Sequence, residues 1–341
     1  MKREDRIFYF LLATVSLLMA YIILAAEATF DKGDGIQHYL IARYSWKHPE
    51  LLLHHWGKPA FTLISSPFAQ LGIKGIALFN LLSATLSAWC AYRIALRFSI
   101  AMPWLLPVLL FFSNIYFAVI NSGLTEPLFG LVLIASIWLF IEKKYLISAL
   151  LVSFLPFVRS EGYMMLPLFA IMLLYRGRPL YLPLLGTGFA VYSLVGGMVY
   201  GDLFWIIHQN PYTGAADIYG HGELLHFIKN FDLIWGTVLF MIFLLGCCFF
   251  FGHLWTNRQK ISWLGFSGIP SLRRREEKAG DDHYLPEELL LVYGSFGIYF
   301  IAHSIFWWKG IYGSLGLLRV IAAIMPAGAL IALRGISGIS Q

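Results

Sequence analysis

Residues 7–26, IFYFLLATVSLLMAYIILAA, carry no charge and open directly into residues 27–39, EATFDKGDGIQHY. An α-helix rises about 1.5 Å per residue, so ~20 apolar residues cross a hydrocarbon core of about 30 Å. The segment that follows places Glu27, Asp31 and Asp34 where such a helix would meet water. A carboxylate at that boundary is partly desolvated, which suits it to general-base chemistry. The apolar run decides the fold class, and the acidic segment marks the place to look for function.

The remainder of the chain repeats the apolar theme. Of 341 residues, 59% are hydrophobic and only 13% charged, against about 25% charged in an ordinary soluble domain. The apolar runs are long and continuous, which indicates helices and excludes the short alternating strands of a membrane barrel. The basic Lys2, Arg3 and Arg6 and the Ala26-Glu27-Ala28 triplet imitate a signal peptide. The apolar run, however, exceeds the usual h-region of roughly 7–15 residues, so an uncleaved first span is expected. Cys90, Cys247 and Cys248 all fall in apolar segments and imply neither a disulfide framework nor a thiolate metal site.

Hydropathy predicts an all-α polytopic membrane protein of one domain with about ten transmembrane helices, near 7–26, 75–96, 101–119, 123–141, 145–158, 161–175, 180–200, 231–252, 287–307 and 315–334. Residues 59–71 are apolar but short and hold Pro59 and Pro67. They read as an interfacial helix inside a first outer loop, 27–74, that also carries a surface helix after Asp34. A second outer loop spans 201–230, and a cytoplasmic loop spans 253–286. With both termini in the cytoplasm, every inner turn is basic: Lys2, Arg3 and Arg6, then Arg93 and Arg97, Lys143 and Lys144, Arg176 and Arg178, and the run from Arg258 to Lys278. The same sorting sends Asp31, Asp34, Glu126, Arg159, Glu161 and Arg319 to the outer side, together with His38 and His55.

Each outer constellation has a local role and a functional one. Asp34 reads as a helix N-cap completed by Gln37, or as a general base held at the membrane surface. Asp31 is the alternative base. Lys58, beside His54, His55 and Trp56, either snorkels to the interface or pairs with a lipid phosphate. Adjacent histidines do not share a helix face and make a poor metal site. In Asn121-Ser122-Gly123-Leu124-Thr125-Glu126-Pro127, Thr125 suits a cap and Glu126 complements the helix dipole. Arg159-Ser160-Glu161, between two short apolar segments, is either an internal ion pair or a substrate contact. Arg319 either snorkels outward or grips phosphate oxygens with two parallel hydrogen bonds. The sequence contains no Gly-rich phosphate loop followed by Lys-Ser/Thr, no H-E-x-x-H and no G-x-S-x-G.

The pattern resembles the C-type superfamily of integral membrane glycosyltransferases, which includes the protein O-mannosyltransferase and aminoarabinose-transferase groups. The resemblance rests on Gly33-Asp34-Gly35-Ile36-Gln37-His38-Tyr39, Gly57-Lys58-Pro59, Thr125-Glu126-Pro127-Leu128-Phe129, Arg159-Ser160-Glu161-Gly162, and Gly316-Leu317-Leu318-Arg319 with Pro326. It implies a transferase that moves a sugar from a polyprenyl-phosphate carrier to an acceptor hydroxyl, with inversion, at the outer face of the plasma (inner) membrane of the cell envelope. Asp34 or Asp31 would be the catalytic base. Lys58, Arg159, Glu161, Arg319, His55 and Glu126 would contact substrate or phosphate. The expected partners are the lipid-linked donor, membrane lipids and a lipid, glycan or protein acceptor, with no nucleic acid. Some members of the superfamily use a divalent metal and others none, and no cofactor is implied by the residues here. The chief alternative is a transporter or flippase of lipid-linked sugars.

Overall fold

A computed structural model describes residues 3–211, 219–256 and 284–340. Among the described residues the chain is helical throughout, with no strands. It begins with α1 (Arg3–Ala25), α2 (Asp34–Tyr44), α3 (Pro59–Ala69) and α4 (Ile73–Arg97). A bent pair follows, α5 (Leu106–Phe111) and α6 (Asn114–Ile120), and then α7 (Glu126–Ile141), α8 (Tyr145–Ser153), α9 (Leu166–Tyr175) and α10 (Thr187–Tyr200). Three further long helices, Thr237–Thr256, Gly294–Lys309 and Met325–Ile339, complete the bundle.

Six of the described helical segments are long and apolar enough to cross a membrane, and a seventh is added if α5 and α6 form one broken span. The molecule is therefore an all-α, multi-pass membrane protein. The expected count of about ten is not reached by length and apolarity. The stretch near 101–119 bends by 73° between α5 and α6, because Ser113 takes up an extended backbone that interrupts the helical ladder. The stretches near 123–141, 145–158 and 161–175 form shorter apolar helices. Leu155–Phe157 and Ser160–Met164 are 3-10 turns flanking an extended Arg159, so neither of the last two reaches a full span. Helices are present after Asp34 and over most of 59–71, as α2 and α3, and α3 buries Pro59, Phe61, Thr62 and Ala69 within the protein. Most of the expected cytoplasmic loop 253–286, and residues 212–218 of the expected second outer loop, lie outside the described residues. Residues 253–256 of that expected loop continue the Thr237–Thr256 helix.

The last span is the centre of the bundle. Leu318–Ile339 has 83% of its apolar window buried within the protein, whereas Thr237–Thr256 has 17% and faces outward. These two helices approach at backbone distance. A Cβ on Gly246 would lie 1.8 Å from the Ile331 carbonyl oxygen, and one on Gly335 would lie 2.2 Å from that of Ile242. Small residues at a helix crossing allow such approach where lipid offers no hydrophobic drive for association. Two ion pairs fasten other ends of the bundle: Arg176 meets Glu287, and Arg334 donates to both oxygens of Glu288.

The acidic segment is held against the bundle by backbone contacts. Phe30 N–H and the Thr29 hydroxyl both donate to the Asn121 carbonyl, at 2.9 and 3.0 Å. Gly35 then lies so close to Gly123 that a Cβ on Gly123 would come within 2.1 Å of the Gly35 carbonyl oxygen. Asn80, fully buried in α4, donates to the carbonyls of Ser122 and Leu124 at 2.8 and 2.9 Å and so braces this turn from within. Both hydrogen bonds come from the amide nitrogen, while Oδ1 is buried without a partner, and the pair sets the platform on which α2 rests.

Candidate functional site

The N-terminus of α2, the turn before α3, the turn before α7, the 157–164 segment and the 313–320 segment converge on one cavity of about 730 Å³. Its lining includes Asp34, His55, Lys58, Glu126, Arg159, Glu161 and Arg319. Of the eight residues expected to act as base or to contact substrate, seven line this cavity, and Asp31 stands behind the lining in contact with Arg319.

The two aspartates occupy different positions. Asp31 Oδ1 accepts the N–H groups of Gly33 (3.1 Å) and Gly35 (2.7 Å), and its Oδ2 lies 3.3 Å from Arg319 Nη1. Asp31 thus shapes the turn that begins α2. The expected capping box is absent: α2 starts at Asp34 itself, and the N-cap position is Gly33, which has no side chain to cap with. The reason is that Asp31 already takes the first N–H groups. Asp34 accepts from Arg319 Nη2 through Oδ2. Its side chain is 35% exposed, compared with 16% for Asp31. Arg319 sits on a 3-10 turn opening the central span and is 11% exposed, so its guanidinium bridges the acidic turn to the core of the bundle.

A second arginine is clamped in the same manner. Arg159 Nη1 lies 2.8 Å from Glu126 and 3.1 Å from the Thr125 hydroxyl, and Nη2 lies 2.7 Å from Glu161. Glu126 is 1% exposed and Arg159 13%. Thr125, expected as a cap, instead receives this hydrogen bond, and no side chain caps α7. Glu126 faces a guanidinium rather than only the helix dipole.

Lys58 enters from the turn before α3, with its Nζ 3.3 Å from the Ser160 hydroxyl. Its backbone is left-handed, at φ 60°, a costly conformation for a residue with a side chain. The turn is framed on both sides. Pro59 begins α3, and the Thr62 hydroxyl donates to the Gly57 carbonyl at 2.8 Å. Burial lowers the Lys58 ammonium from its ordinary value to about 8, with Glu161 and Asp34 opposing that fall and Arg159 adding to it. Lysine, two arginines and four carboxylates leave the cluster with one formal negative charge: three cations against Asp31, Asp34, Glu126 and Glu161.

Two histidines complete the site without having been singled out as site residues. His38 lies one turn after Asp34 on α2, lines the same cavity, and is 6% exposed. Burial first, then the charges of Lys58, Arg159 and Arg319, lower it to about 3, so its imidazole is neutral at physiological pH. Its Nδ1 is buried without a hydrogen-bond partner. The i, i+4 spacing from Asp34 is the signal that would have found it. His303 approaches Glu161 at 3.3 Å and packs its ring 4.6 Å from Tyr299. A lone histidine in an apolar span carries no such signal. Among the described residues, no group of three or more His, Cys, Asp or Glu side chains is placed to hold a metal ion.

Neither a protein-family model nor a curated protein matches the chain.

Proposed function

We propose that this protein is an integral membrane glycosyltransferase of the C-type kind, transferring a sugar from a polyprenyl-phosphate carrier to an acceptor hydroxyl. The observation that carries the reading is the convergence of Asp34 with Lys58, Arg159 and Arg319 on one cavity. In the reaction, the acceptor oxygen forms a bond to the anomeric carbon as the bond from that carbon to the carrier phosphate oxygen breaks. The acceptor proton passes to Asp34, and the electron pair leaves on the phosphate. A single displacement inverts the anomeric centre.

The geometry supports Asp34 rather than Asp31 as the base. Both Asp31 oxygens are engaged with the turn and with Arg319, whereas the described hydrogen bonds of Asp34 use Oδ2 alone. Charge stabilisation of a leaving phosphate draws on preorganised cations. Arg159 and Arg319 are held in place by their carboxylates, and Lys58 reaches the cavity from a turn whose backbone is constrained. The reading places the site on the outer face of the plasma membrane, with both termini cytoplasmic, and counts the bent pair and the three shorter apolar helices with the six long ones, about ten membrane segments in all. A divalent metal and the sugar's identity stand outside this proposal.

The test is transfer from a labelled polyprenyl-phosphate sugar by protein reconstituted in proteoliposomes. Transfer that depends on Asp34 supports the reading. Full transfer by both Asp34→Asn and Asp31→Asn removes the base from the scheme. Carrier translocation without any new glycosidic bond favours the transporter alternative.

A further inference from the structure

A second, smaller cavity of about 320 Å³ adjoins the charged one. His55, Trp56 and Pro211 line both. Helix α2 contributes to each: Asp34 and His38 to the large cavity, Gln37 to the small one. The two cavities are therefore neighbours across a threshold made by the 55–56 turn, with the candidate base on the far side.

Their chemistry differs. The large cavity collects Lys58, two arginines and three carboxylates. Among the described residues lining the small one there is no Asp, Glu, Lys or Arg. It offers two amides, Gln37 and Gln209, two aromatic rings, Trp56 and Tyr200, and the imidazoles of His54 and His55. Burial lowers both imidazoles from their ordinary value; for His55 a hydrogen bond with the Trp205 backbone opposes the fall and the charges of Lys58 and His54 add to it, with the net direction toward a neutral ring. His55 also leaves its Nε2 buried without a hydrogen-bond partner at the shared wall. The ring of His55 is fixed there by packing 4.7 Å from Trp205, which is itself 1% exposed and donates to the Tyr192 carbonyl at 2.8 Å.

Neutral amides with aromatic faces suit one ligand class. Hydroxyl groups take up amide and imidazole hydrogen bonds, and the C–H face of a pyranose lies against an aromatic ring. An anion would find no cation in this lining, and a long acyl chain would leave the amides unpaired, which costs free energy when they are desolvated. The volume lies at the lower end of small-molecule pockets, roughly 300–1,000 Å³, which admits a sugar unit and excludes a folded domain. We infer that the small cavity is the acceptor subsite and that it takes a neutral carbohydrate, presenting a hydroxyl past His55 toward Asp34. This inference rests on the transferase reading above and adds the chemical class of the acceptor.

The test is ligand-observed saturation-transfer NMR on the full-length protein in lipid nanodiscs, with methyl β-D-glucopyranoside, methyl β-D-galactopyranoside and the phosphate ester glucose 1-phosphate as probes. The expected result is saturation of at least one neutral glycoside, weakened fivefold or more in Gln209→Ala and in Trp56→Ala. Gln209 is exposed and makes no described side-chain hydrogen bond, so its variant keeps the question open even where Trp56→Ala folds poorly. The inference is overturned by three results: no saturation of either glycoside by the wild type, signals unchanged in both variants, or binding of the phosphate ester alone. Donor turnover by the wild type is followed in the same preparation. Glycoside binding with no donor turnover sinks the transferase reading and leaves the carbohydrate site standing. Donor turnover without glycoside binding does the reverse.

Discussion

Removing the Arg159 guanidinium should destabilise the protein more than any other single change at the site. Arg159 stands between two carboxylates, 2.8 Å from Glu126 and 2.7 Å from Glu161, and Glu126 is 1% exposed. Arg159→Gln leaves both carboxylates facing one another without their cation. Breaking a buried pair by deleting one partner costs about 3–5 kcal/mol, since the stranded charge keeps its desolvation penalty. Glu126→Gln is milder. Arg159 then retains Glu161 and the Thr125 hydroxyl, and the loss is that of one charged hydrogen bond, about 1.5–3 kcal/mol. The double variant Arg159→Gln/Glu126→Gln should recover part of the damage, because the most deeply buried stranded carboxylate is gone. Coupling between such neighbours amounts to roughly 0.5–3 kcal/mol. Unfolding by SDS in mixed micelles, followed by the fluorescence of the fully buried Trp205 and Trp235, measures all three variants. The reasoning is refuted if Arg159→Gln costs under about 1 kcal/mol and the double variant equals the sum of the singles. The cavity would then be solvating the charge by itself.

Four further outcomes follow from the same geometry. Asp34→Asn should lower transfer by roughly 10²–10⁴-fold, the range of general-base catalysis, with little change in stability. Asp31→Asn should instead lower stability, because a turn with two N–H acceptances on Oδ1 is disturbed; equal behaviour of the two in unfolding assays counts against the assignment. Lys58, lowered to about 8 by burial, should show an alkaline limb in donor KM, with binding lost as pH rises through about 8; Lys58→Arg should move that limb upward, and an unmoved limb points to another group. In stability the sign is opposite. The unfolded lysine binds its proton up to about 10.5 and the folded one only to about 8, so the penalty for a buried ammonium is present below about pH 8 and shed between 8 and 10.5. Gly123→Ala should separate α2 from the bundle, since its Cβ would meet the Gly35 carbonyl at 2.1 Å; we expect loss of transfer and a destabilisation above about 2 kcal/mol, checked by the same unfolding assay.

Much of the architecture was legible because apolar runs and turns leave local marks. The first span, expected over 7–26, is α1 at Arg3–Ala25, and the one expected over 75–96 is α4 at Ile73–Arg97. Pro59 and Pro67 marked a short helix, and α3 begins at Pro59 and ends at Ala69. The break at Ser113 was hidden, since apolar residues lie on both sides of it and hydropathy averages across a bend. At the site, the residue types were legible and their partners were not. Arg159 and Glu126 are far apart in the sequence, so nothing local showed that Glu126 answers the arginine rather than its own helix. The split between Asp31 and Asp34 depends on which oxygen meets which N–H, a matter of a few ångströms that spacing does not carry. Asn80 and His303 were passed over because one polar residue in an apolar helix looks the same whether it is incidental or braced.

The contact between the acidic turn and the 121–123 segment has a consequence for how the molecule is made. Thr29 waits for Asn121, which lies 92 residues later, and Asp34 waits for Arg319, 285 residues later. At about 5–20 residues per second, the ribosome supplies the first partner after roughly 5–20 s and the second after roughly 15–60 s. Between those two times the loop can dock on the 121–123 segment but still lacks its arginine. A nascent chain halted before residue 318 would carry two neighbouring aspartates without their cation, so the site comes into being only once Arg319 has been made and packed.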